Sequence, residues 1–339
     1  MRDDQEDDAG SGQLLHRREW LRRGVHPRQL ASERYIRVFC GYFTPSARPA
    51  TLETACRVLQ NEVRAGAVIS HESAAVLLGL ALPDRCGPSG ADADRTAVLG
   101  EVPRVHAVQP GDRSRQVAGC TLHASPPVAR VLVAEIEVCH PYDVVCQLAP
   151  DLLPWDLTIM LESLVRPGRP GAVVPGLSLD GVVTHALTRA SAAVAEAVCS
   201  AARRARRPSR SCAETLIRLM VRAAGFVDPE LGPVVVGGSD GGAPHRVALG
   251  WPTWRVGIDT DHLLGPAQAR RLWPANRAVA LAESGWCLLR PTADDLGDSL
   301  VLLLSLRNLL QHGGAPAPSL AQIRAAASSQ ARRTAHRHP

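Results

Sequence analysis

The 339-residue chain contains no lysine, so its 38 basic Lys/Arg positions are all arginine. Together with abundant alanine, this composition is expected of a GC-rich genome. A preference for arginine as a bidentate phosphate ligand would give the same pattern, and composition does not separate the two. The net charge of +5 is mild for this length, so it permits a nucleic-acid partner without requiring one.

Long apolar runs and paired cysteine motifs are also missing. No apolar stretch approaches the roughly 20 residues that a membrane helix needs, and the first eight residues are acidic, unlike an export signal. The nine cysteines show no C-x-x-C spacing, which argues against a zinc site or a disulfide framework. We therefore expect a cytoplasmic protein with reduced thiols and no membrane contact.

The segment 13–46 predicts two short helices followed by a small β-hairpin. Gly24-Val25 interrupts the first helix, and Pro27 suits the first turn of the second. Helix, turn, helix and hairpin form the outline of a winged helix-turn-helix. A small helical cap with a solvated basic face is the alternative. The arginines expected to contact DNA are Arg22, Arg23, Arg28, Arg34 and Arg37.

The region 47–207 predicts a small mixed α/β unit and does not disclose a function. Ser70 suits an N-cap, so Ser70-His71 predicts a capped helix start rather than a catalytic pair. Strands are expected near 102–108, 120–124 and 131–138, and a long helix over 182–205. Arg203, Arg204, Arg206 and Arg207 end this region. They fit phosphate contact, or a solvated helix end favoured by the helix dipole.

The segment 208–312 predicts the element order α-β-β-β-α-β-α. A helix is expected over 211–224, and alternating apolar residues predict strands over 245–251 and 254–260, joined by a tight turn at Pro252-Thr253. A helix over 266–283 and a short strand over 286–290 follow. The acidic segment 1–12 and the Ala/Pro/Ser/Arg-rich segment 313–339 are expected to be disordered tails. The fold class is therefore α/β of the α+β kind.

This element order resembles the restriction-endonuclease-like fold, and more narrowly the very-short-patch-repair endonuclease-like domain of many actinobacterial proteins. The matching residues are Ser211, Cys212, Ala213, Glu214, Arg218, Arg246, Val247, Trp251, Pro252, Val256, Asp259, Asp261, Gly285, Trp286 and Arg290. The N-terminal part resembles the winged helix of type IV (abortive-infection) antitoxin-like proteins. That resemblance rests on Gly24-Val25, Gln29-Leu30, the run 37–42 and the run 70–75.

The nuclease resemblance implies Mg²⁺ held between carboxylates, where the ion activates a water for phosphodiester hydrolysis. Glu214 matches the helix acid, although Ser211-x-x-Glu214 is also a capping box. Asp259 and Asp261 match the third strand and are expected to share one face of the sheet. The candidate metal ligands are Glu214, Asp259 and Asp261, and His262 joins them as a candidate catalytic residue.

The second-strand acid of the family should stand at position 248, where this chain has alanine. Three functions follow from the resemblance. The favoured one is a protein that binds duplex DNA, as a regulator or defence-system component, with a degenerate endonuclease-like domain. The alternatives are an active Mg²⁺-dependent DNA endonuclease and an antitoxin-like module that binds a partner protein.

Overall fold

The computed structural model describes residues 12–82, 104–109, 115–125, 128–167, 173–207, 209–235, 244–264 and 277–335. The chain forms two compact units that both mix helices and strands, which confirms the predicted α/β class. Unit 1 comprises Met1–Leu80, Ala93–Asp151 and Arg169–Ala195. Unit 2 comprises Ala81–Asp92, Leu152–Gly168 and Glu196–Pro339.

Unit 1 begins with a small module in which two short helices pack beside a three-stranded antiparallel sheet. Its elements are β1 (Leu15–His16), α1 (Arg17–Arg22), α2 (Pro27–Leu30), β2 (Tyr35–Phe39) and β3 (Tyr42–Pro45), with sheet order β1-β3-β2. Trp20 is buried, and its indole N–H donates to the carbonyl of Phe43 at 2.9 Å. The β2–β3 hairpin was predicted, and the helices are shorter than expected.

A six-stranded mixed sheet forms the centre of unit 1, in the order β6-β7-β5-β4-β9-β8. Its strands are β4 (Val68–Ile69), β5 (Val105–Val108), β6 (Arg115–Val117), β7 (Cys120–His123), β8 (Arg130–Val133) and β9 (Ile136–Cys139). The helices of this part are α3 (Leu52–Val58), which a π-helical turn at Leu59–Val63 extends, α4 (His71–Leu77) and α5 (Pro141–Leu148). Fully buried Ile69, Leu122 and Ile136 lie in its core.

The predicted single strand over 131–138 is instead the hairpin β8–β9. Ala134 and Glu135 form its two-residue turn with φ of 48° and 66°. Two consecutive left-handed residues give the turn whose twist matches antiparallel strands. Glycine or asparagine normally marks such a turn, and neither is present here, so no local pattern predicted the turn.

Four further helices follow along the chain. They are α6 (Pro154–Leu164), α7 (Leu179–Arg189), α8 (Ala192–Arg204) and α9 (Cys212–Ala223). Helices α6 and α9 belong to unit 2, and α7 belongs to unit 1. The expected long helix over 182–205 is therefore two helices, separated at Ala190-Ser191. The predicted boundary near residue 207 does not coincide with the division into units, because α6 belongs to unit 2.

The sheet of unit 2 has the order β10-β13-β14-β15, with β14 and β15 parallel and the other neighbours antiparallel. Its strands are β10 (Glu230–Leu231), β13 (Leu249–Trp251), β14 (Val256–Ile258) and β15 (Cys287–Leu289), and a separate ladder joins β11 (Val234–Val235) to β12 (His245–Arg246). The later helices are α10 (Arg277–Glu283), α11 (Ala293–Gly297), α12 (Leu300–His312) and α13 (Leu320–Ala335).

This sheet is covered on both faces. Leu249 and Ile258 pack into the larger core with α9, α12 and α13, whereas Val247 packs with Leu281 in a smaller cluster. Gly250 and Gly257 pair across β13 and β14. A Cβ at Gly250 would lie 2.5 Å from Pro233 Cγ, and one at Gly257 would lie 2.6 Å from Val247 Cγ1. Only glycine therefore fits this close approach.

Three expectations for unit 2 were wrong. The segment after residue 313 is not a disordered tail, because α13 buries Ile323 fully and packs into the larger core. The predicted strand over 245–251 is divided into β12 and β13. The turn after it is longer than two residues, because Pro252–Trp254 forms a 3₁₀ helix and Arg255 adopts φ 52°. The predicted acidic tail falls almost wholly outside the described residues.

Candidate functional site

Glu214 lies in the first turn of α9 and is 1% exposed. The Ser211 hydroxyl accepts the Glu214 N–H at 3.1 Å, as an N-cap does. The Glu214 carboxylate accepts from the backbone N–H of Arg210 and pairs with Arg246 Nη2 at 3.4 Å. Burial raises the pKa of Glu214 to about 7, although Arg246 and Arg210 act in the opposite direction. The Ser211 cap is thus present, whereas the Glu214 carboxylate contacts the Arg210 N–H and Arg246, where a capping box would direct it to the Ser211 N–H.

Asp259 lies one residue beyond the end of β14 and is fully buried. Its Oδ2 lies 3.6 Å from the Nε of Arg290, and its Oδ1 accepts the N–H of Asp261 at 3.4 Å. Asp261 begins the 3₁₀ helix Asp261–Leu264, so the expectation that both aspartates share one strand face was wrong. The strand ends before either residue, and Asp259 caps the turn that follows. The side chain of His262 lies outside the described residues.

Ala248 is buried and directly precedes Leu249, the first residue of β13. The register pairs Leu249 with Ile258, the residue before Asp259, and the resemblance puts the second-strand acid at position 248. The position that would hold a second carboxylate therefore carries a methyl group. Among the described residues, no three His, Cys, Asp or Glu side chains are arranged to hold a metal ion.

The three candidate metal ligands do not fit the divalent-cation site that the resemblance implies. Glu214 and Asp259 each face a guanidinium group rather than another carboxylate. A bound Mg²⁺ would need oxygen ligands in near-octahedral geometry, and an adjacent arginine competes for the same lone pairs. Arg246 and Arg290, which match the family pattern, are thus the ion-pair partners of Glu214 and Asp259.

A third buried acid–arginine pair was not predicted. Arg218 on α9 contacts Glu162 on α6, and both side chains are almost fully buried. Glu162 also accepts the backbone N–H of Arg206 at 2.7 Å and the hydroxyl of Thr215 at 2.5 Å. Arg218 belonged to the family pattern, but the sequence had no signal for Glu162, which lies 56 residues away.

The basic cluster at the C-terminal end of α8, which consists of Arg203, Arg204, Arg206 and Arg207, mostly makes contacts within unit 2. Arg204 donates to the Thr158 hydroxyl, the Ser200 hydroxyl and the carbonyl of Pro154. Arg203 pairs with exposed Glu196 at 3.1 Å, and Arg206 Nη1 donates to nearby backbone carbonyls. Arg207 is exposed, and its side chain makes no hydrogen bond or ion pair with the described part of the chain. Arg204 thus holds α8 against α6.

The predicted DNA-contacting arginines of the N-terminal module fall into two groups. Glu19 engages both Arg22, at 3.0 Å, and Arg23, at 3.3 Å. The guanidinium groups of the second group are exposed and make no hydrogen bond or ion pair with the described part of the chain. This second group consists of Arg28, Arg34 and Arg37.

Unit 1 also brings together three histidines whose proximity was not predicted from the sequence. The rings of His71 and His123 stack at 3.6 Å between centroids, and His106 Nδ1 lies 2.9 Å from His123 Nε2. His71 adopts φ 49°, and its Nδ1 contacts the Ser70 hydroxyl at 3.0 Å. Burial lowers the pKa of all three, that of His71 to about 3. The cluster is therefore neutral at pH 7.

A second histidine contact lies beside a cavity of about 480 Å³ between α5 and α7. His185 Nε2 lies 2.8 Å from Asp143 Oδ1. Cys146 also lines the cavity, but burial raises the pKa of its thiol to about 11. At pH 7 the Cys146 thiol is therefore protonated, and a protonated thiol is a poor nucleophile.

No protein-family model matches the sequence, and no curated protein does. The resemblances to the endonuclease-like domain and to the antitoxin-like winged helix therefore stay predictions from the residues that carry them. In the part of the chain that the structure describes, no helix is long and apolar enough to span a membrane.

Proposed function

We propose that the chain is a DNA-binding protein, a regulator or defence-system component, whose C-terminal endonuclease-like part has lost or nearly lost cleavage. One observation supports the loss above all others. The two acids that match a nuclease site, Glu214 and Asp259, each pair with an arginine, and alanine stands at position 248, where the resemblance puts the second-strand acid. Two carboxylates at that point would form a divalent-cation site, and this chain supplies one.

DNA binding is assigned to the N-terminal module. Its two helices and three-stranded sheet agree with the outline of a winged helix, and Arg28, Arg34 and Arg37 project into solvent without an acidic partner among the described residues. Phosphate contacts fix the position of such a module on a duplex. Each contact releases a counterion, so affinity falls steeply as salt rises.

Binding is tested with a fluorescent duplex at several salt concentrations. We expect Arg28→Ala/Arg34→Ala to weaken binding and to reduce the salt slope by about one for each lost phosphate contact. The matched control is Arg57→Ala/Arg130→Ala, which removes the same charge from two surface ion pairs of unit 1 with Glu53 and Glu137. Equal affinity of the first variant and the wild type would contradict the assignment.

Cleavage is tested with supercoiled plasmid in Mg²⁺ or Mn²⁺. We expect little nicking by the wild type, and some recovery in Ala248→Asp if the surrounding side chains still support a metal. Robust cleavage by the wild type that Asp259→Asn abolishes would establish the alternative, an active endonuclease.

A further inference from the structure

The N-terminal module contains a cleft of about 390 Å³ between α2 and the β2–β3 hairpin. This volume lies in the range of small-molecule sites. Tyr35 and Phe43 line it as aromatic side chains, Arg17 and Arg37 as basic ones, and Pro27 and Ser32 contribute from the helix side. We call it the Tyr35 cleft. The duplex contacts proposed above do not use its aromatic side chains.

The aromatic side of the Tyr35 cleft is held in place from behind. The buried ring of Trp20 meets the Tyr35 ring edge-on, with centroids 5.2 Å apart and an interplanar angle of 70°. Trp20 also donates its indole N–H to the carbonyl of Phe43 at 2.9 Å. One buried side chain thus fixes both aromatic residues, so little conformational entropy is lost when a flat ligand binds there.

The basic side chains lie next to this aromatic surface. Arg37 pairs with Phe43 across the hairpin, so a guanidinium and an aromatic ring are direct cross-strand neighbours on one face. Arg17 joins the same cleft from the start of α1, where its backbone N–H donates to Gly41 at 2.7 Å. Both guanidinium groups are exposed and make no hydrogen bond or ion pair within the described residues.

We propose that the Tyr35 cleft binds one nucleotide unit, with the base against Tyr35 and Phe43 and the phosphate between Arg17 and Arg37. A planar base has a π-face that stacks on aromatic side chains whatever its sequence, and arginines bind the attached phosphate. The nucleotide comes from an unpaired position in DNA or from solution. The DNA source rests on the proposed function, whereas the nucleotide chemistry of the cleft does not.

The test uses 2-aminopurine, whose fluorescence is quenched when it stacks on an aromatic ring. Three probes are titrated with the full-length protein: a fully paired DNA hairpin, the same hairpin with one unpaired 2-aminopurine, and free 2-aminopurine ribonucleoside monophosphate. We expect the bulged hairpin to bind about tenfold more tightly than the paired one, with quenching. Binding of the free nucleotide with quenching would also support the cleft and would identify solution as a source.

Variants separate the cleft from the duplex contacts. Tyr35→Leu keeps an apolar side chain without a ring, so we expect it to abolish the preference for the bulge while paired DNA binds as before. Tyr35→Phe keeps the ring and should retain the preference. Arg17→Gln should weaken binding of both 2-aminopurine probes. Circular dichroism confirms that each variant is folded.

Two results have opposite meanings. Equal affinity for paired and bulged hairpins, with no quenching and no binding of the free nucleotide at millimolar concentration, would overturn the nucleotide cleft and leave duplex binding intact. If the wild-type protein binds neither hairpin but binds and quenches the free nucleotide, the proposed function is overturned and the nucleotide cleft is supported.

Discussion

Unit 1 and unit 2 bury ionisable side chains in opposite ways. In unit 2, a buried carboxylate faces an arginine three times; the pairs are Glu162–Arg218, Glu214–Arg246 and Asp259–Arg290. In unit 1, the rings of His71, His106 and His123 stack on one another, and no hydrogen bond joins them to a carboxylate among the described residues. The His185–Asp143 contact is the exception in unit 1.

The difference predicts how unit 1 responds to the gain of a proton and how unit 2 responds to the loss of an ion-pair partner. The Glu162–Arg218 pair has both side chains almost fully buried, so removing one partner leaves the other charged and desolvated. Buried imidazoles are neutral at pH 7, so they become costly only when acid protonates them. Unit 2 should therefore be sensitive to a substitution that removes one member of that pair, and unit 1 to low pH. Four predictions test this contrast, in order of decreasing effect.

The largest effect is expected from Glu162→Ala, which leaves the Arg218 guanidinium buried without its acid. We expect a loss of about 3–5 kcal/mol in the stability of unit 2. Urea unfolding followed by tryptophan fluorescence measures it, because five of the six tryptophans belong to unit 2. Glu162→Leu/Arg218→Leu removes both charges and should recover much of the loss. A single variant as stable as wild type would show that the pair is solvated.

The second effect is acid destabilisation of unit 1. The folded pKa values of His71, His106 and His123 lie below the usual 6.5, so the unfolded chain binds more protons. Stability is then complete above about pH 6.5 and falls as the pH drops toward the folded values. We expect a loss of about 1–2 kcal/mol between pH 7 and pH 5, allowing for partial exposure.

Hydrogen exchange of β5 and β7, read by mass spectrometry, measures this loss. His71→Asn should reduce the pH dependence, because asparagine tolerates the positive φ of that position. His312→Asn, at the exposed last residue of α12, is the control. Unchanged protection of β5 and β7 from pH 7 to pH 5 would contradict the prediction.

The third effect concerns Glu214, whose folded pKa is raised to about 7. Between about pH 4.5 and pH 7 the folded state binds more protons than the unfolded chain, so this residue lowers stability as the pH rises through that window. We expect Glu214→Gln to cost less than about 0.5 kcal/mol at pH 5 and to stabilise unit 2 by about 1 kcal/mol at pH 8.

Urea unfolding of Glu214→Gln at both pH values measures the difference, with Glu196→Gln on the exposed part of α8 as a control. A loss of more than about 2 kcal/mol at pH 8 would show that the ionised carboxylate stabilises the fold. That outcome would show that the Glu214–Arg246 ion pair stabilises unit 2, as the Glu162–Arg218 pair is expected to do.

The smallest effect is expected from Arg203→Ala. Arg203 and Glu196 form an exposed pair of the same chemistry, with side chains 65% and 74% exposed. Exposed pairs contribute little, so stability should change by less than about 0.5 kcal/mol. The same denaturation measurement tests this, and a larger loss would mean that burial is not what distinguishes the three pairs of unit 2.

Local patterns predicted part of the candidate site. Ser211 as the cap of α9, the β2–β3 hairpin and the strands around Trp251 and Val256 depend on residues within a few positions of one another. The shared strand face of Asp259 and Asp261 failed, because alternation holds only while the strand continues and β14 ends at Ile258. Helix α13 was missed because its polar composition hides the few positions, such as Ile323, that pack into the core.

The sequence by itself determined the mixed α/β class, the absence of a carboxylate at position 248 and the basic character of the N-terminal module, because composition and short-range periodicity fix these properties. Only the tertiary structure decided which acid faces which arginine, and that His71, His106 and His123 stack. It also brought Arg17 to the cleft of Tyr35 and Phe43. These contacts join residues far apart in the chain, as Glu162 and Arg218 are, and their geometry depends on how helices and strands pack rather than on any local pattern.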